Sequence, residues 1–359
     1  MSRIAVAMSG GLDSSVAAML LLDRGEEVLG LSLLLWTGGP GRTHGRCCAP
    51  LDLADARRVA GKLGFPHYTL DYQEVFRHNV VVPFVRDYLA GRTPSPCVRC
   101  NTFVKFDALF HQARRLGADR LATGHYARIV QGPEGFELHR AADREKDQSY
   151  YLFEVEPSYL ERLEFPVGEL RKAEVRDLAR ARGLPVAEKG ESMEVCFVEG
   201  GVREFVERQA AEEGIPFAPI PARLLRPDGS ELGRAEPYYR YTVGQRRGLG
   251  VAAGARQYVL RVIPERQEVV VGSERELLCR AFRGERVHWL TDPPEGPIEV
   301  EVQIRSRHVP CRAQVRPGFH GEFEVEFEVP QRAIAPGQAS VFYQGSRVLG
   351  GGWIQEPLR

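Results

Sequence analysis

A chain of 359 residues with 48 basic and 48 acidic side chains carries no net charge. This excludes a global field drawing it to nucleic acid or to an anionic membrane, so any such contact must rest on local patches. The length points to two or three domains, and the longest apolar run, Leu29 to Trp36, falls far short of the roughly 18 to 20 residues of a bilayer span.

Seven cysteines are an odd number in a long chain whose start reads as a strand and not as an export signal. They argue for reduced thiols and a cytoplasmic setting, with no membrane partner. Lysine occurs only at Lys62, Lys105, Lys146, Lys172 and Lys189 in a background of arginine. Composition bias accounts for most of this, but a lysine in such a background points mildly to a place where a compact charge suits better than a fork.

In chain order, Ile4 to Met8 reads as a short buried strand, followed by a glycine turn and a helix that opens near Asp13 and stops at Gly25. Glu26 to Trp36 is a near-continuous apolar run, as in a strand buried on both faces. Leu51 to Gly64 is an amphipathic helix, His67 to Tyr72 a strand, Glu74 to Leu89 helical, and Phe103 to Gly117 a further helix. A strand lies within Asp119 to Arg128, a hairpin over Ala127 to Ala141, and a helix over Lys172 to Gly183. This alternation predicts a parallel sheet covered by helices, with ligands at the carboxyl ends of its strands. After about Gly200 one more helix is expected at Val202 to Glu213. Beyond it come a hairpin at Arg256 to Gly272 and strictly alternating runs at Ile298 to Ile304 and Glu322 to Val329, the pattern of a small antiparallel barrel or sandwich. The fold class is α/β, with divisions at 1–200, 201–275 and 276–359.

The turn after the first strand carries the clearest chemistry. Gly10 and Gly11 let backbone approach a ligand, and Ser9, Ser14, Ser15 and the first helical N–H groups offer donors where the helix dipole favours an anion. The loop is suited to phosphate, but it lacks the Gly-Lys-Ser/Thr ending of a Walker A loop. Cys97 and Cys100 form a C-x-x-C near a helix start beside Arg99, a setting that lowers a thiol pKa. The pair is also half a zinc site, which Cys47 and Cys48 would complete by folding back. Cys196 reads equally as a buried small hydrophobe, and Cys279 and Cys311 as packing. Tyr238, Tyr239 and Tyr241 interleave with Arg240, Arg246 and Arg247, which suits RNA. Residues 303–320 hold Arg305, Arg307, Arg312 and Arg316 without a carboxylate, a candidate phosphate contact.

SGGLDSS (Ser9 to Ser15) resembles the signature of the PP-loop ATP pyrophosphatases, which turn ATP and a substrate oxygen into an adenylate and pyrophosphate. Taken in order, SGGLDSSVAA, PSPCVRCNTFVKF, TGHYAR, KDQSYYL, EVCFV, YTVGQRRGLG, AIAPGQASVFY and VLGGGWI resemble the motif series of the bacterial tRNA-specific 2-thiouridylase family, from one end of the chain to the other.

The resemblance implies a PP-loop (adenine nucleotide α-hydrolase-like) domain, a small central domain that meets tRNA, and a C-terminal antiparallel β-barrel. It implies 2-thiolation of the wobble uridine in tRNA for Glu, Gln and Lys, with ATP and Mg²⁺, and a cysteine desulfurase or sulfur-relay protein as donor. Carried over by position, Ala7, Met8, Ser9, Gly10, Gly11, Leu12, Asp13 and Ser14 form the ATP loop, and Leu33 and Gly124 flank the nucleotide. Cys100 stands at the nucleophile and Cys196 at the persulfide carrier. His125, Lys146, Asp147, Gln148, Arg305, Ser306 and Gln338 stand at tRNA-contacting positions. Cys97 stands where part of the family has an aspartate proposed as general base. With Cys100 and Cys196 it would make a three-thiolate set for a [4Fe–4S] cluster, the alternative to a persulfide relay. Met193 stands where glutamine is common. Two other readings share parts of this pattern: a PP-loop adenylating synthetase, which has no need of the two thiols, and a non-catalytic RNA-binding or metal module.

Overall fold

The structure, a computed structural model, describes residues 3–37, 50–190, 195–198, 200–250 and 256–358. Cys47, Cys48 and Met193 lie outside the described residues. The chain divides into two compact units. The first comprises Met1–Val80, Pro96–Val198 and Ser346–Val348; the second comprises Val81–Ser95, Glu199–Gly345 and Leu349–Arg359.

The first unit begins with β1 (Arg3–Ala7), α1 (Leu12–Asp23), β2 (Glu27–Leu34), α2 (Pro50–Leu63) and β3 (His67–Asp71). A helical run follows as α3 (Gln73–Phe76), a π-helical turn (Arg77–Val81) and α4 (Val82–Leu89), which belongs to the second unit. The chain returns as α5 (Pro96–Arg99), a π-helix (Cys100–Ala108), α6 (Leu109–Arg115) and β4 (Arg120–Thr123). The hairpin β5 (Ala127–Gly132) and β6 (Gly135–Arg140), the short β7 (Leu163–Glu164) and α7 (Lys172–Ala181) complete it.

The sheet is parallel in the order β3-β2-β1-β4-β7. β2 is buried at six consecutive positions, Val28 to Leu33, and so shows no inside–outside alternation. Ile4, Val6, Val16, Val59 and Val175 meet in the core beneath the helices. From β1 the connection through α1 leads to β2 on one side, while β4 lies on the other. The crevice between the carboxyl ends of β1 and β4 is therefore the topological switch point, where such sheets hold ligands. One expected boundary is wrong. The helix placed at Phe103 already begins at Pro96, because proline suits the first helical position, so both cysteines of the C-x-x-C lie in helical turns.

The second unit adds α8 (Val202–Glu212), β8 (Arg223–Leu225), β9 (Glu231–Arg234), β10 (Tyr258–Ile263) and β11 (Glu268–Gly272), the strands joined as β10-β11-β8-β9. Phe84 of α4 packs edge-on against Phe205 of α8. Next come β12 (Leu278–Trp289), β13 (Ile298–Gln303), β14 (Cys311–Pro317), β15 (Phe323–Arg332), β16 (Ala339–Gln344) and β17 (Arg347–Leu358). They run β12-β15-β14-β13-β16-β17, and β17 pairs back to β12, closing an antiparallel barrel. Inside it the Phe323 ring lies on two glycines: a Cβ on Gly284 or Gly352 would come within 2.0 or 2.4 Å of that ring. Cys279 is buried there and Cys311 packs against the same core, the packing roles expected of them.

Candidate nucleotide and thiol site

The loop expected to bind phosphate lies at the switch point. β1 ends at Ala7, and the Met8 N–H still reaches the Leu31 carbonyl at 2.8 Å, so Ser9 is the first residue beyond the sheet. Gly11 is the N-cap of α1 in extended conformation, and Ser15, fully buried, donates its hydroxyl to the Gly11 carbonyl at 2.8 Å. The remaining loop contacts are longer: Ser9 N–H to Ser14 Oγ and Ser9 Oγ to Ser14 Oγ are 3.2 Å, and Gly11 N–H to Ser9 Oγ is 3.4 Å. Bonds of this length are weak, so an anion can draw these donors to itself at the positive end of α1. Gly10 requires its glycine. Its φ is +69°, and a Cβ would stand 1.9 Å from the Asp52 carbonyl oxygen.

Gly124, just past β4, packs against the same turn, and a Cβ there would lie 2.5 Å from the Ser14 nitrogen. Leu33 is buried near the end of β2. Asp13 is held from two sides. Lys172 at the start of α7 places Nζ at 2.7 and 2.9 Å from its two carboxylate oxygens, and the Tyr126 hydroxyl donates to it at 2.9 Å. Two of the five lysines thus serve the loop, Lys172 through Asp13 and Lys189 by donating to the Gly10 carbonyl.

The thiols differ in exposure: Cys97 is exposed, Cys100 buried and Cys196 half-buried. One helical turn anchors both thiol segments. Arg99 donates through Nε to the Asn79 carbonyl at 2.7 Å, while Phe197, beside Cys196, packs edge-on against Phe76 with centroids 5.4 Å apart. Among the described residues no three His, Cys, Asp or Glu side chains are grouped so as to hold a metal ion.

A polar chain runs from the residue after Cys100 to the end of β4. Lys105 Nζ donates to Asn101 Oδ1 at 2.9 Å and to His125 Nε2 at 3.4 Å. An ammonium only donates, so His125 carries its hydrogen on Nδ1 and donates it to Thr123 Oγ1 at 2.6 Å. Burial, and then the Lys105 charge, hold His125 well below the usual histidine range, so it is neutral.

The other expected contact residues are placed as follows. Asp147 is bound to Arg140 at 3.2 Å and accepts from the Ala141 N–H and from Ser149, so its carboxylate organises its own loop. Gln148 accepts from the Tyr126 N–H through Oε1 and donates its own N–H to the Tyr126 carbonyl; the Lys146 N–H reaches the Asp143 carbonyl. In the second unit, Arg305 donates to the Arg332 carbonyl, Ser306 is exposed, and the Gln338 amide donates to the Thr93 and Pro94 carbonyls.

Two readings of that unit change. Tyr239 and Tyr241 are buried core and Arg240 is paired with Glu207 and Glu236, which leaves Arg246 and Arg247 exposed from the basic–aromatic stretch. The arginine run is also not acid-free in space. The neighbouring strand β15 sets Glu326 beside Arg316 at 2.9 Å, while β13 sets Glu301 opposite Arg312. Lys172 and Lys189 were missed as site residues, and the scarcity of lysine was the one signal in the sequence that could have found them.

The chain is similar to known proteins along nearly its whole length. Residues 2–200 match the model of the tRNA methyl transferase HUP domain, 217–273 the tRNA methyl transferase PRC-barrel domain, and 279–354 the aminomethyltransferase beta-barrel domain. The tRNA-specific 2-thiouridylase MnmA of Solibacter usitatus is 45% identical over 98% of this chain and 99% of its own length. That of Rhodospirillum centenum is 47% identical, covering 98% and 91%. That of Chloroflexus aurantiacus is 45% identical, covering 99% of each. The chain belongs to the tRNA-specific 2-thiouridylase family. This 2-thiouridylase is a nucleotide-binding tRNA sulfurtransferase by kinship, and among its described residues no helix is long and apolar enough to cross a membrane.

Proposed function

We propose that this 2-thiouridylase adenylates the carbon-2 oxygen of the wobble uridine in tRNA for Glu, Gln and Lys and replaces that oxygen with sulfur carried on Cys196. The triphosphate of ATP lies in the Ser9–Ser14 cradle, with Leu33 and Gly124 flanking the nucleotide. The uridine oxygen attacks the α-phosphate and pyrophosphate leaves, so that a poor leaving group becomes AMP. Magnesium takes oxygen ligands and keeps several waters. Its ligands would be the phosphate oxygens and water, since Lys172 already holds both oxygens of the Asp13 carboxylate, and the ion would neutralise charge on the departing pyrophosphate.

A persulfide on Cys196, supplied by a cysteine desulfurase or sulfur-relay protein, attacks carbon 2 through its terminal sulfur, and the carbon–oxygen bond to AMP breaks. The Cys100 thiolate then attacks the inner sulfur of Cys196. The sulfur–sulfur bond opens, its electron pair passes to the sulfur that stays on the base, and a Cys100–Cys196 disulfide remains. A thiol reductant returns two electrons to restore both thiols. Cys97 takes no step.

His125, Lys146 to Gln148, Arg305, Ser306 and Gln338 meet the tRNA. The central division 201–275 adds the exposed Arg246 and Arg247, and the division 276–359 forms the barrel. The reaction takes place in the cytoplasm. The observation that carries this reading is the anchoring of both thiol segments on the Phe76–Asn79 turn, in the unit that holds the phosphate cradle.

The test combines tRNA-dependent pyrophosphate release with mercury-gel detection of thiolated tRNA. Cys100→Ser and Cys196→Ser are expected to abolish thiolation while ATP binding persists. Undiminished thiolation in either variant would sink the relay and favour an adenylating enzyme without sulfur chemistry.

A further inference from the structure

Lys189 has no part in the chemistry above, yet its ammonium sits against the backbone of the phosphate loop. Nζ donates to the Gly10 carbonyl at 2.9 Å and to two carboxylates of the first turn and a half of α2, Asp52 Oδ1 and Asp55 Oδ2, the latter at 2.6 Å. Against the opposing effect of burial, those carboxylates raise the Lys189 pKa, and Lys189 with Arg58 lowers that of Asp55, so Lys189 and Asp55 are both ionised at neutral pH. Gly10 is wedged on the same turn, since its missing Cβ leaves room for the Asp52 carbonyl.

The consequence lies in the peptide plane. Gly10 C=O and Gly11 N–H belong to one trans peptide and point in opposite directions. A cation that fixes the carbonyl on the α2 side fixes the Gly11 N–H on the other, at the mouth of α1. There the N–H has one long contact, the 3.4 Å bond to Ser9 Oγ.

We infer that Lys189 is a positioning residue for ATP: by holding the Gly10 carbonyl it aims the Gly11 N–H at the triphosphate. The compact ammonium suits three acceptors arranged around one point, which a planar guanidinium cannot match. The inference rests on the ATP-binding reading of the loop.

The experiment measures ATP affinity by titration calorimetry without tRNA, and KM for ATP and kcat by pyrophosphate release with tRNA. K189M is expected to weaken ATP binding and raise KM by about tenfold or more, as for loss of an oriented hydrogen bond to a charged group, with kcat at saturating ATP within about threefold. K62M removes a lysine of α2 that bonds the Gly183 carbonyl and does not touch the loop, and it should stay within about threefold of wild type in both. Should K189M fail to fold, K189R keeps the charge and carries the same expectation of raised KM and preserved kcat. The inference is overturned by unchanged ATP affinity in the folded Lys189 variant, by an equal effect of K62M, or by a kcat loss without a change in KM. A wild-type chain that binds no ATP overturns the ATP reading of the loop instead.

Discussion

Lys172 grips Asp13 across 159 positions of sequence, its Nζ within 2.9 Å of both carboxylate oxygens while Tyr126 holds one of them from the side. A carboxylate at the opening of α1 would otherwise compete with an incoming phosphate for the positive helix end. Pairing it with an ammonium keeps the acid there and limits the repulsion. Asp13→Asn and Lys172→Met are each expected to slow tRNA-dependent pyrophosphate release by about ten- to a hundredfold. Because the two act as one unit, the double variant should be little worse than either single one. Rates of the two single variants and the double variant check this, and simple additivity would refute it.

The thiols make a prediction about metal. A persulfide relay through Cys196 and Cys100 needs no iron, so protein purified without oxygen should be active without stoichiometric iron or labile sulfide. Treatment with an iron chelator should leave thiolation unchanged. Cys97→Ser should keep most of the activity that Cys100→Ser loses. Iron and sulfide analysis alongside the thiolation assay decides it.

Acid should weaken the first unit through two half-buried histidines, His125 and His67. His125 lies well below its ordinary value of 6.5, through burial and then Lys105, and His67 is lowered by burial and then Arg57. Both take up a proton less readily in the folded chain than in the unfolded chain, which does so near 6.5. Their contribution is whole above that pH and is lost as pH falls towards the folded values, because the unfolded state then binds more protons. Urea midpoints taken at about pH 7.5 and about pH 5.5 should fall with acid, and His125→Gln should narrow the difference. An equal drop in the variant would place the acid sensitivity elsewhere.

In the barrel, Phe323→Ala should cost about 3–5 kcal/mol by opening a cavity. Gly352→Val should cost about 1–3 kcal/mol by driving a side chain into the ring. Combined, they should cost less than their sum, since the valine enters space the ring has left. Thermal unfolding of the three variants measures this.

The regular alternation of the first unit was legible because each piece is local: a strand, a glycine turn, a helix whose apolar face repeats. The runs of β13 and β15 were legible for the same reason, a period of two with acid on the outside. β17 was not, because Gly350, Gly351 and Gly352 give no alternation, and the reason for one of them is the Phe323 ring, far away in sequence. YYRY was misread because a tyrosine serves a core as well as it serves an RNA base, and sequence does not say which side it faces. The arginines of residues 303–320 lost part of their apparent isolation to glutamates on neighbouring strands. Around the phosphate loop, the serines and glycines announced themselves. Lys172 and Lys189 did not, since their acceptors lie more than a hundred positions upstream.

The π-helix from Cys100 to Ala108 has a bearing of its own. Leu109 bonds back to the carbonyl of Val104, five residues earlier, so this stretch holds about one residue more per turn than its α-helical flank. Each residue of an ordinary helix advances the chain by about 100°. Removing one residue here would let the segment relax towards an α-helix, but Leu109, Phe110 and Ala113 are fixed in the core. The slack would be taken up at the other end, and Cys100 would swing by about that angle. The surplus residue thus acts as a phase setting between the buried end of the helix and its reactive end, and the direction in which the thiol faces depends on chain length as much as on residue identity.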